Sequence, residues 1–422
     1  MSGGWEVRMA RYLISGARVF DGTGDPPSPA EVLVEDNRIA LVAGQVPVSL
    51  RAGAEVIDGS GSVLMPGLID GHTHLGFGST VEHLSSRLEN EEAKTLLIAH
   101  NARVMLDHGF TSAYSGGNRL PRAEVAARDA IAEGWLPGPR LRACSFEGSV
   151  GMVSPGHYDF PGIESRESNP AAMRQFVNQM ADLGVDVVKF SLSGESAVDE
   201  RTSRVQQFTE EEVAAAGETA RERGVWLTAH AHSAQAIQMA VRHGFRAIYH
   251  VSFADDATID ALAEARDRIF VAPTPGILYA HLHDETHPPT EGMETQVTID
   301  SVRRVAPELF KRGVRLLIGG DYGFSFNPVG NNARDLQLFV DWFGLSAAEA
   351  LRCATQFGGQ VMDRGHELGL VQEGYLADLL LVDGDPTLDI TVLRDPARLA
   401  LIMQDGRVHK VDASRLASPV GR

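Results

Sequence analysis

The chain has 422 residues, 43% of them hydrophobic and 22% charged, so it can bury a large core and exceeds the usual size of a single domain. A net charge of −18 without clustered basic residues excludes the basic surfaces that nucleic acids and anionic membranes require. The only cysteines, Cys144 and Cys353, have no metal or redox spacing, so any metal must be held by nitrogen and oxygen ligands. The acidity favours solubility and does not identify the substrate, for which we expect a small molecule.

The N-terminus, MSGGWEVRMARYLISG, lacks the apolar region and the small-residue cleavage site of a secretory signal. Apolar stretches such as 313-GVRLLIGG-320 are shorter than the roughly 20 residues that span a bilayer. The sequence therefore predicts a soluble, cytoplasmic protein with no membrane partner. It does not fix the oligomeric state, and a homo-oligomer stays open.

Both ends of the chain read as short β segments separated by turn residues. These segments are residues 12–24, 31–44, 55–67, 378–386 and 399–411. We predict that the two ends pair with each other, so that residues 10–66 and 366–422 together form one small β-sandwich domain.

The middle of the chain alternates short apolar runs with amphipathic helical segments such as residues 122–134 and 210–224, a pattern typical of βα units and a parallel sheet. The eight candidate strands are residues 68–74, 110–115, 140–146, 185–190, 225–230, 246–250, 269–274 and 314–321. Eight repeats suit a closed barrel better than an open sheet. We predict an α/β fold in which residues 67–365 form a (β/α)8 TIM-like catalytic barrel.

Side chains that can bind a metal lie where the predicted strands end. His72 and His74 are two residues apart in one strand, so their imidazoles project to the same side and can share one divalent ion. His230, His250 and Asp321 each close a later strand. Taken singly, each histidine also fits an ordinary buried residue bonded to backbone. Asp321 also fits the N-cap of the next helix. Their joint placement on the strand ends favours a metal site.

Lys189 follows the apolar run 185-VDVV-188, where an ammonium group would be poorly solvated. One interpretation is a lysine that extends to solvent at the barrel mouth. The other is a neutral amine that has captured CO₂, because the resulting carbamate offers two anionic oxygens and can bridge two metals.

These motifs resemble the amidohydrolase superfamily, in its prolidase-like and imidazolonepropionase-like branch. The resemblance spans nearly the whole chain and is most specific in 66-PGLIDGHTH-74 and 376-LADLLLVDGDP-386. It implies that His72, His74 and Asp321 bind one metal and that His230 and His250 bind the second. Lys189, as its carbamate, would bridge the two ions. The family's metal is usually zinc, and ligands of this kind also suit manganese or cobalt.

The resemblance also implies metal-assisted hydrolysis of a C–N bond. A water bridging the metals would lose its proton to Asp321 and attack a polarised carbonyl, and Asp321 would then protonate the leaving nitrogen. His157 and Tyr114 are candidate donors to the tetrahedral oxyanion. We assign His232 to the substrate pocket rather than to the metal.

The substrate stays open, because 113-AYSGGN-118 and 319-GGD-321 depart from the prolidase-like pattern. We expect a dipeptide of the Xaa-Pro kind, an N-acyl amino acid or a bulky or aryl amide, with carbamates, ureas and cyclic amides as alternatives. A one-metal deaminase is disfavoured, because such relatives lack the bridging lysine. From another class, a catalytically silent barrel scaffold would be expected to lose ligands.

Loops beyond the strand ends hold the remaining pocket candidates. Met152, Phe324 and Phe326 would give an apolar lining suited to a bulky or aromatic substrate group. The sequence does not settle whether the histidine-rich segment with His281, His283 and His287 contacts substrate, although loops on this face are where specificity residues lie.

Overall fold

The computed structural model describes residues 11–78, 91–148, 168–194, 203–283 and 295–416. The chain divides into two compact units. The first comprises the described parts of Met1–Ile69, Leu106–Thr111 and Ser346–Arg422, and the second comprises those of Asp70–Met105 and Ser112–Leu345. Within the described ranges, no helix is both long enough and apolar enough to cross a membrane.

The first unit contains a four-stranded and a six-stranded sheet. The N-terminal and C-terminal segments pair directly, since Leu381 lies opposite Leu64 on one side and Leu401 on the other. The strands are Arg11–Ser15, Arg18–Val19, Ser28–Pro29, Glu31–Glu35, Arg38–Ala43, Glu55–Asp58, Ser62–Pro66, Leu379–Asp383, Leu399–Gln404 and Arg407–Val411.

Both sheets of the first unit contribute to one hydrophobic core, which includes Ile14 and Val34 from one sheet and Leu64, Leu381 and Met403 from the other. Burying each such side chain stabilises the fold by roughly 1.5–3 kcal/mol. The helices of this unit are Val48–Arg51, Ala347–Ala354 and Gln356–Val361, with short 3-10 turns at Ile390–Arg394, Pro396–Arg398 and Ala413–Arg415.

All eight strands predicted in the middle of the chain are present. They are Leu68–Thr73, Phe110–Ser115, Arg140–Arg142, Val187–Ser191, Trp226–Ser233, Ala247–Phe253, Phe270–Ala272 and Arg315–Leu316. The first three form one sheet and the last five form another, with neighbours in chain order. Isolated parallel bridges join Cys144 to Val187 and Thr73 to Tyr322.

Helices separate these strands, as the sequence pattern predicted. The predicted segments 122–134 and 210–224 correspond to Pro121–Ala132 and Glu210–Arg223. The second of these begins with a capping box at Thr209 and ends at Gly224 in the left-handed region. The other helices are Glu91–Asp107, Pro170–Asp182, Ala234–Arg242, Asp256–Glu264, Pro275–His283, Thr295–Lys311 and Arg334–Phe343.

The eighth strand is much shorter than the predicted 314–321. After Leu316 the backbone turns through Gly319 and Asp321, both with positive φ. It still bonds to the first strand, because Gly71 donates to the carbonyl of Ile318 and Asp321 donates to that of His72. The residue expected at a strand end therefore lies in a turn against the first strand.

Candidate metal centre

The structure brings together the six residues predicted to bind metal. All are buried, and even the most accessible, Asp321, is only 8% exposed. Five of them lie in, or directly after, a strand, and Asp321 lies in the turn that follows the eighth strand. The six are His72, His74, Lys189, His230, His250 and Asp321.

His72, His74 and Asp321 form the first part of the site. Oδ1 of Asp321 lies 2.8 Å from Nε2 of His74 and 3.6 Å from Nε2 of His72. Nδ1 of His74 donates to the carbonyl of Gly117 at 2.8 Å, and this bond orients the ring so that Nε2 faces Asp321. The ring of His72 stacks on Tyr249 at 3.7 Å, and neither of its nitrogens has a hydrogen-bond partner in the described chain.

His230, His232 and His250 form the second part. Their ring centroids are 4.3–4.6 Å apart. His232 was assigned to the substrate pocket from the sequence, yet its imidazole lies in contact with both predicted ligands. Burial, assisted by neighbouring charges, lowers the pKa of His232 and His250 well below the usual value, so both imidazoles are neutral at pH 7.

Lys189 lies between the two parts of the site. Its Nζ donates to the carbonyl of Gly116 at 2.9 Å and lies 4.7 Å from the centre of the Tyr249 ring. It is 3.6 Å from Oε1 of Glu147, which also accepts from Ser191. Glu147 escaped the sequence analysis, although its place just beyond the third strand is the same signal that identified the other residues.

A glycine pair after the second strand holds two of these side chains, since the carbonyl of Gly116 binds Lys189 and that of Gly117 binds His74. A Cβ at Gly116 would overlap the ring of His72. The buried carboxylate of Glu124 accepts hydrogen bonds from Ser115, Asn118 and the amide of Cys144. Because Ser115 and Asn118 flank the glycine pair, these bonds fix its position. Segment 113-AYSGGN-118, where the sequence departs from the prolidase-like pattern, therefore shapes the metal site.

Asp321 is held by its backbone as well as by its neighbours. It adopts φ 61°, a left-handed conformation that costs energy for a residue with a side chain. Asn327 donates to the carbonyls of Gly320 and Asp321. Asp335 accepts from the amide of Gly319 at 2.9 Å and from the hydroxyl of Tyr322 at 2.9 Å. These bonds fix the turn on both sides of Asp321.

The donor set fits a divalent metal. There are two groups of three residues whose ligand atoms, within each group, all lie within 4.8 Å of one another. The two groups share one residue, His250. Nitrogens of His72, His232 and His250 are buried without a hydrogen-bond partner in the described chain, which is costly unless something else binds them. The groups are His72, His250 and Asp321, and His230, His232 and His250.

Comparison with known protein families agrees with the resemblance seen in the sequence, over most of the chain. The family model described as "Amidohydrolase family" matches residues 63–411. The chain belongs to the amidohydrolase family. The predicted family is confirmed, the family implies the use of divalent metals, and the histidine clusters of this amidohydrolase are a candidate metal site.

Individual relatives agree with this placement. Ochratoxinase of Aspergillus niger is 24% identical over 431 residues, covering 94% of this chain and 86% of the relative. Imidazolonepropionase of Caldanaerobacter subterraneus subsp. tengcongensis is 25% identical over 394 residues, covering 85% of each chain. The solved structure of a Xaa-Pro dipeptidase, 23% identical, covers 95% of this chain and 100% of its own with a TM-score of 0.83.

The amidohydrolase is therefore a metal-dependent enzyme that acts on C–N bonds, as predicted, and not a silent scaffold. Its fold is α/β and TIM-barrel-like. Its partner is a small-molecule substrate, whereas a homo-oligomer remains a prediction.

The structure describes only some of the residues predicted to contact the substrate. Tyr114 is fully buried and its ring stacks on Trp226, four residues before His230 on the same strand. Its role as an oxyanion donor stays a prediction. His281 and His283 lie in the helix Pro275–His283, and the ring of His281 is 4.9 Å from that of Phe326. Met152, His157 and His287 lie outside the described residues.

We expect Asp335 to make the stability of this amidohydrolase depend on pH. Burial raises the pKa of Asp335 to about 7 from its usual value of about 3.9. Between these values the folded chain keeps the proton that the unfolded chain has released, so the free energy of unfolding falls as pH rises. Relative to Asp335→Asn, the wild type should lose several degrees of melting temperature between pH 4.5 and 7.5, since 1 kcal/mol corresponds to about 2–4 °C.

Scanning fluorimetry at closely spaced pH values measures this difference. Asp341→Asn is the matched control, because Asp341 lies exposed on the same helix, Arg334–Phe343, and should show no such trend. A constant difference between wild type and Asp335→Asn across the range would contradict the expectation.

Proposed function

We propose that this amidohydrolase holds two divalent metals, zinc first among them, and hydrolyses the amide bond of an N-acylated amino acid or dipeptide with a bulky or aromatic group. His72, His74 and Asp321 would hold one ion, and His230 and His250 the other. This division of ligands follows the family pattern, and the observation that supports two ions is the pair of overlapping groups of buried ligand atoms, which share His250. Two adjacent ions with a common neighbour suit attack on a carbonyl.

Bound divalent metals would lower the pKa of a water and polarise the scissile carbonyl. The chain itself supplies the proton carrier. Burial alone would raise the pKa of Asp321, but His72 and His74 favour its charged form and the pKa is lowered. Asp321 is therefore ionised at neutral pH and can take a proton at Oδ1. We propose that it then returns this proton to the leaving nitrogen.

Lys189 is proposed to carry a CO₂-derived carbamate. Carbamate formation needs the neutral amine, and Lys189 is 1% exposed, with the Tyr249 ring on one side and the Gly116 carbonyl on another. The bond to Gly116 needs only one N–H and so is compatible with the carbamate.

Three partly exposed phenylalanines beside the metal ligands support the choice of substrate. Phe77 stacks on His74 at 4.2 Å, with the ring planes 4° apart. Phe324 lies 5.2 Å from Phe77 and 5.4 Å from Phe326. We call Phe77, Phe324 and Phe326 the aromatic shelf. Aromatic walls with few polar groups are typical of pockets for apolar ligands, and ring pairs at these distances are favourable. The name of the Xaa-Pro dipeptidase agrees with a peptide substrate.

We expect Phe324→Leu to change selectivity. Loss of one ring contact is worth about 0.5–1.5 kcal/mol, so kcat/KM for an aromatic substrate should fall roughly 3–10-fold while that for an aliphatic analogue changes little. The measurement pairs N-acetylphenylalanine with N-acetylalanine, and Xaa-Phe with Xaa-Ala dipeptides. Phe310→Leu on the helix Thr295–Lys311, away from the shelf sequence, is the matched control. An equal fall for both substrates would argue against the shelf.

A hydrolysis screen of the zinc-loaded protein tests the proposed function as a whole. It compares N-acyl amino acids, Xaa-Pro and other dipeptides, and aryl amides with carbamates, phenylureas and cyclic amides. Amide hydrolysis that disappears with a chelator and returns with zinc is the expected result. Hydrolysis of only the carbamates, ureas or cyclic amides would overturn the proposed substrate class.

We further propose the finer architecture: the eight strands close into a barrel formed by residues 67–365, and residues 10–66 and 366–422 form a β-sandwich domain. The bridges from Cys144 to Val187 and from Thr73 to Tyr322 support closure, because they join the ends of the two parallel sheets. The core shared by both sheets of the first unit supports the sandwich.

A further inference from the structure

We propose that His232 is a third histidine ligand of the metal held by His230 and His250. This inference rests on the proposed metal binding and adds to it a ligand that the sequence analysis had placed in the substrate pocket. The site would then be a cluster of three imidazoles, which we call the histidine triad.

Proximity is the first argument. One ring nitrogen from each residue of the triad lies within 4.8 Å of the other two. His232 is 1% exposed and stacks on His250 at 4.5 Å, with ring planes 19° apart. A metal in contact with all three nitrogens needs only small shifts, because tetrahedral ligands about 2.0–2.1 Å from zinc are themselves more than about 3 Å apart.

The hydrogen bonds of the outer ring nitrogens are the second argument. Nε2 of His230 lies 3.1 Å from the carbonyl of Gly194, which only accepts, so the lone pair of His230 is on Nδ1. Nδ1 of His232 bonds to Ser252 at 2.8 Å, and Nδ1 of His250 bonds to Thr274 at 2.7 Å. A hydroxyl can accept from Nδ1, and in the tautomer in which both hydroxyls do so, Nε2 of each residue carries the lone pair. Metal-binding histidines are oriented in this way by an outer partner.

The third argument separates a ligand from an ordinary buried histidine. A histidine kept for packing normally has both ring nitrogens satisfied. Nε2 of His232 and Nε2 of His250 are both buried without a hydrogen-bond partner in the described chain, and they lie next to each other. A cation bound by both nitrogens would supply the partner that each of them lacks.

The triad has a consequence for Lys189. Three protein ligands with one open position are a complete set for a catalytic zinc site. The triad therefore binds its metal without a carbamate on Lys189, and the carbamate is needed only to join the two ions. His232 becomes more important than Lys189 for occupancy of this position.

Metal content tests the inference independently of activity. The full chain is stripped with a chelator, reloaded with Zn²⁺ or Co²⁺ and measured by elemental analysis and by titration. We expect His232→Ala to lose one of the bound metals or at least tenfold in affinity for it, whereas Lys189→Met keeps that metal. In the Co²⁺ protein, the visible absorption band of the triad ion should shift or vanish in His232→Ala only.

Controls keep the outcomes distinct. His366→Ala removes an exposed histidine and should leave metal content unchanged. Circular dichroism verifies folding, and His232→Asn replaces the alanine variant if that variant is unfolded. Wild-type affinity and stoichiometry in folded His232 variants, together with loss of a metal in Lys189→Met, would overturn the triad and leave the proposed function standing. A wild type that binds no metal would overturn both.

Discussion

Replacing Asp321 by asparagine is expected to lower kcat about 10²–10⁴-fold while the chain stays folded. Positioned proton transfer contributes a factor of this size, and an amide cannot take up or return the proton at Oδ1. The substitution keeps the shape of the side chain, and Asn tolerates the left-handed φ of 61° better than most residues. We therefore expect the loss to appear in turnover more than in metal content.

Rates and metal content must be measured on the same zinc-loaded samples. Asp267→Asn is the matched control, because it makes the same chemical change at an exposed turn and should keep wild-type kcat. Asp321→Asn with full turnover would remove Asp321 from the proton transfer. Loss of activity in strict proportion to loss of metal would instead restrict Asp321 to metal binding.

Gly116→Ala is expected to disrupt the site by steric overlap alone. The added Cβ would occupy the space of the His72 ring, which cannot retreat because it stacks on Tyr249 at 3.7 Å. Moving the backbone instead would displace the carbonyl that binds Lys189. Overpacking of this kind costs roughly 1–3 kcal/mol, and here it falls on the ligands. Metal content should fall well below that of the wild type, and kcat/KM by at least about tenfold.

A second glycine provides the control for this variant. A Cβ at Gly44 would meet nothing within 4 Å, and its φ is not positive, so Gly44→Ala should keep both metal and activity. Elemental analysis, kinetics and thermal melting of the two variants form one data set. Equal metal content and activity in Gly116→Ala and the wild type would show that the glycine pair does not shape the site.

The strand order of the second unit was predictable because its information is local. Each strand is a short apolar run, and the polar residue that closes it marks the carboxyl end. Parallel pairing then brings those ends to one edge, which is why Lys189, His230 and His250 meet although up to 61 residues separate them. The short eighth strand was not predictable, because its turn depends on contacts of Gly319 and Gly320 with distant side chains.

Glu124 and Asp335, which the sequence analysis did not identify, act through tertiary contacts. Glu124 bonds to Asn118, next to the glycine pair, and Asp335 bonds to the turn before Asp321. Both lie in helices, and the residue spacing of those helices does not predict these contacts. His232 was noticed but placed in the pocket, since alternation along an ideal strand does not show how closely it approaches His250. The register shift between Ala231 and Ser233 helps to explain that approach.

The left-handed backbone at His250, Thr274 and Asp321 has a consequence for efforts to make the enzyme more heat-resistant. Each such residue costs of the order of 1–3 kcal/mol, and glycine at the same position would recover part of it. Selection for heat resistance alone would therefore favour substitutions that delete a ligand or its support. Substitutions that raise stability and keep activity must therefore lie elsewhere in the chain, because the strained backbone conformations position the residues of the site.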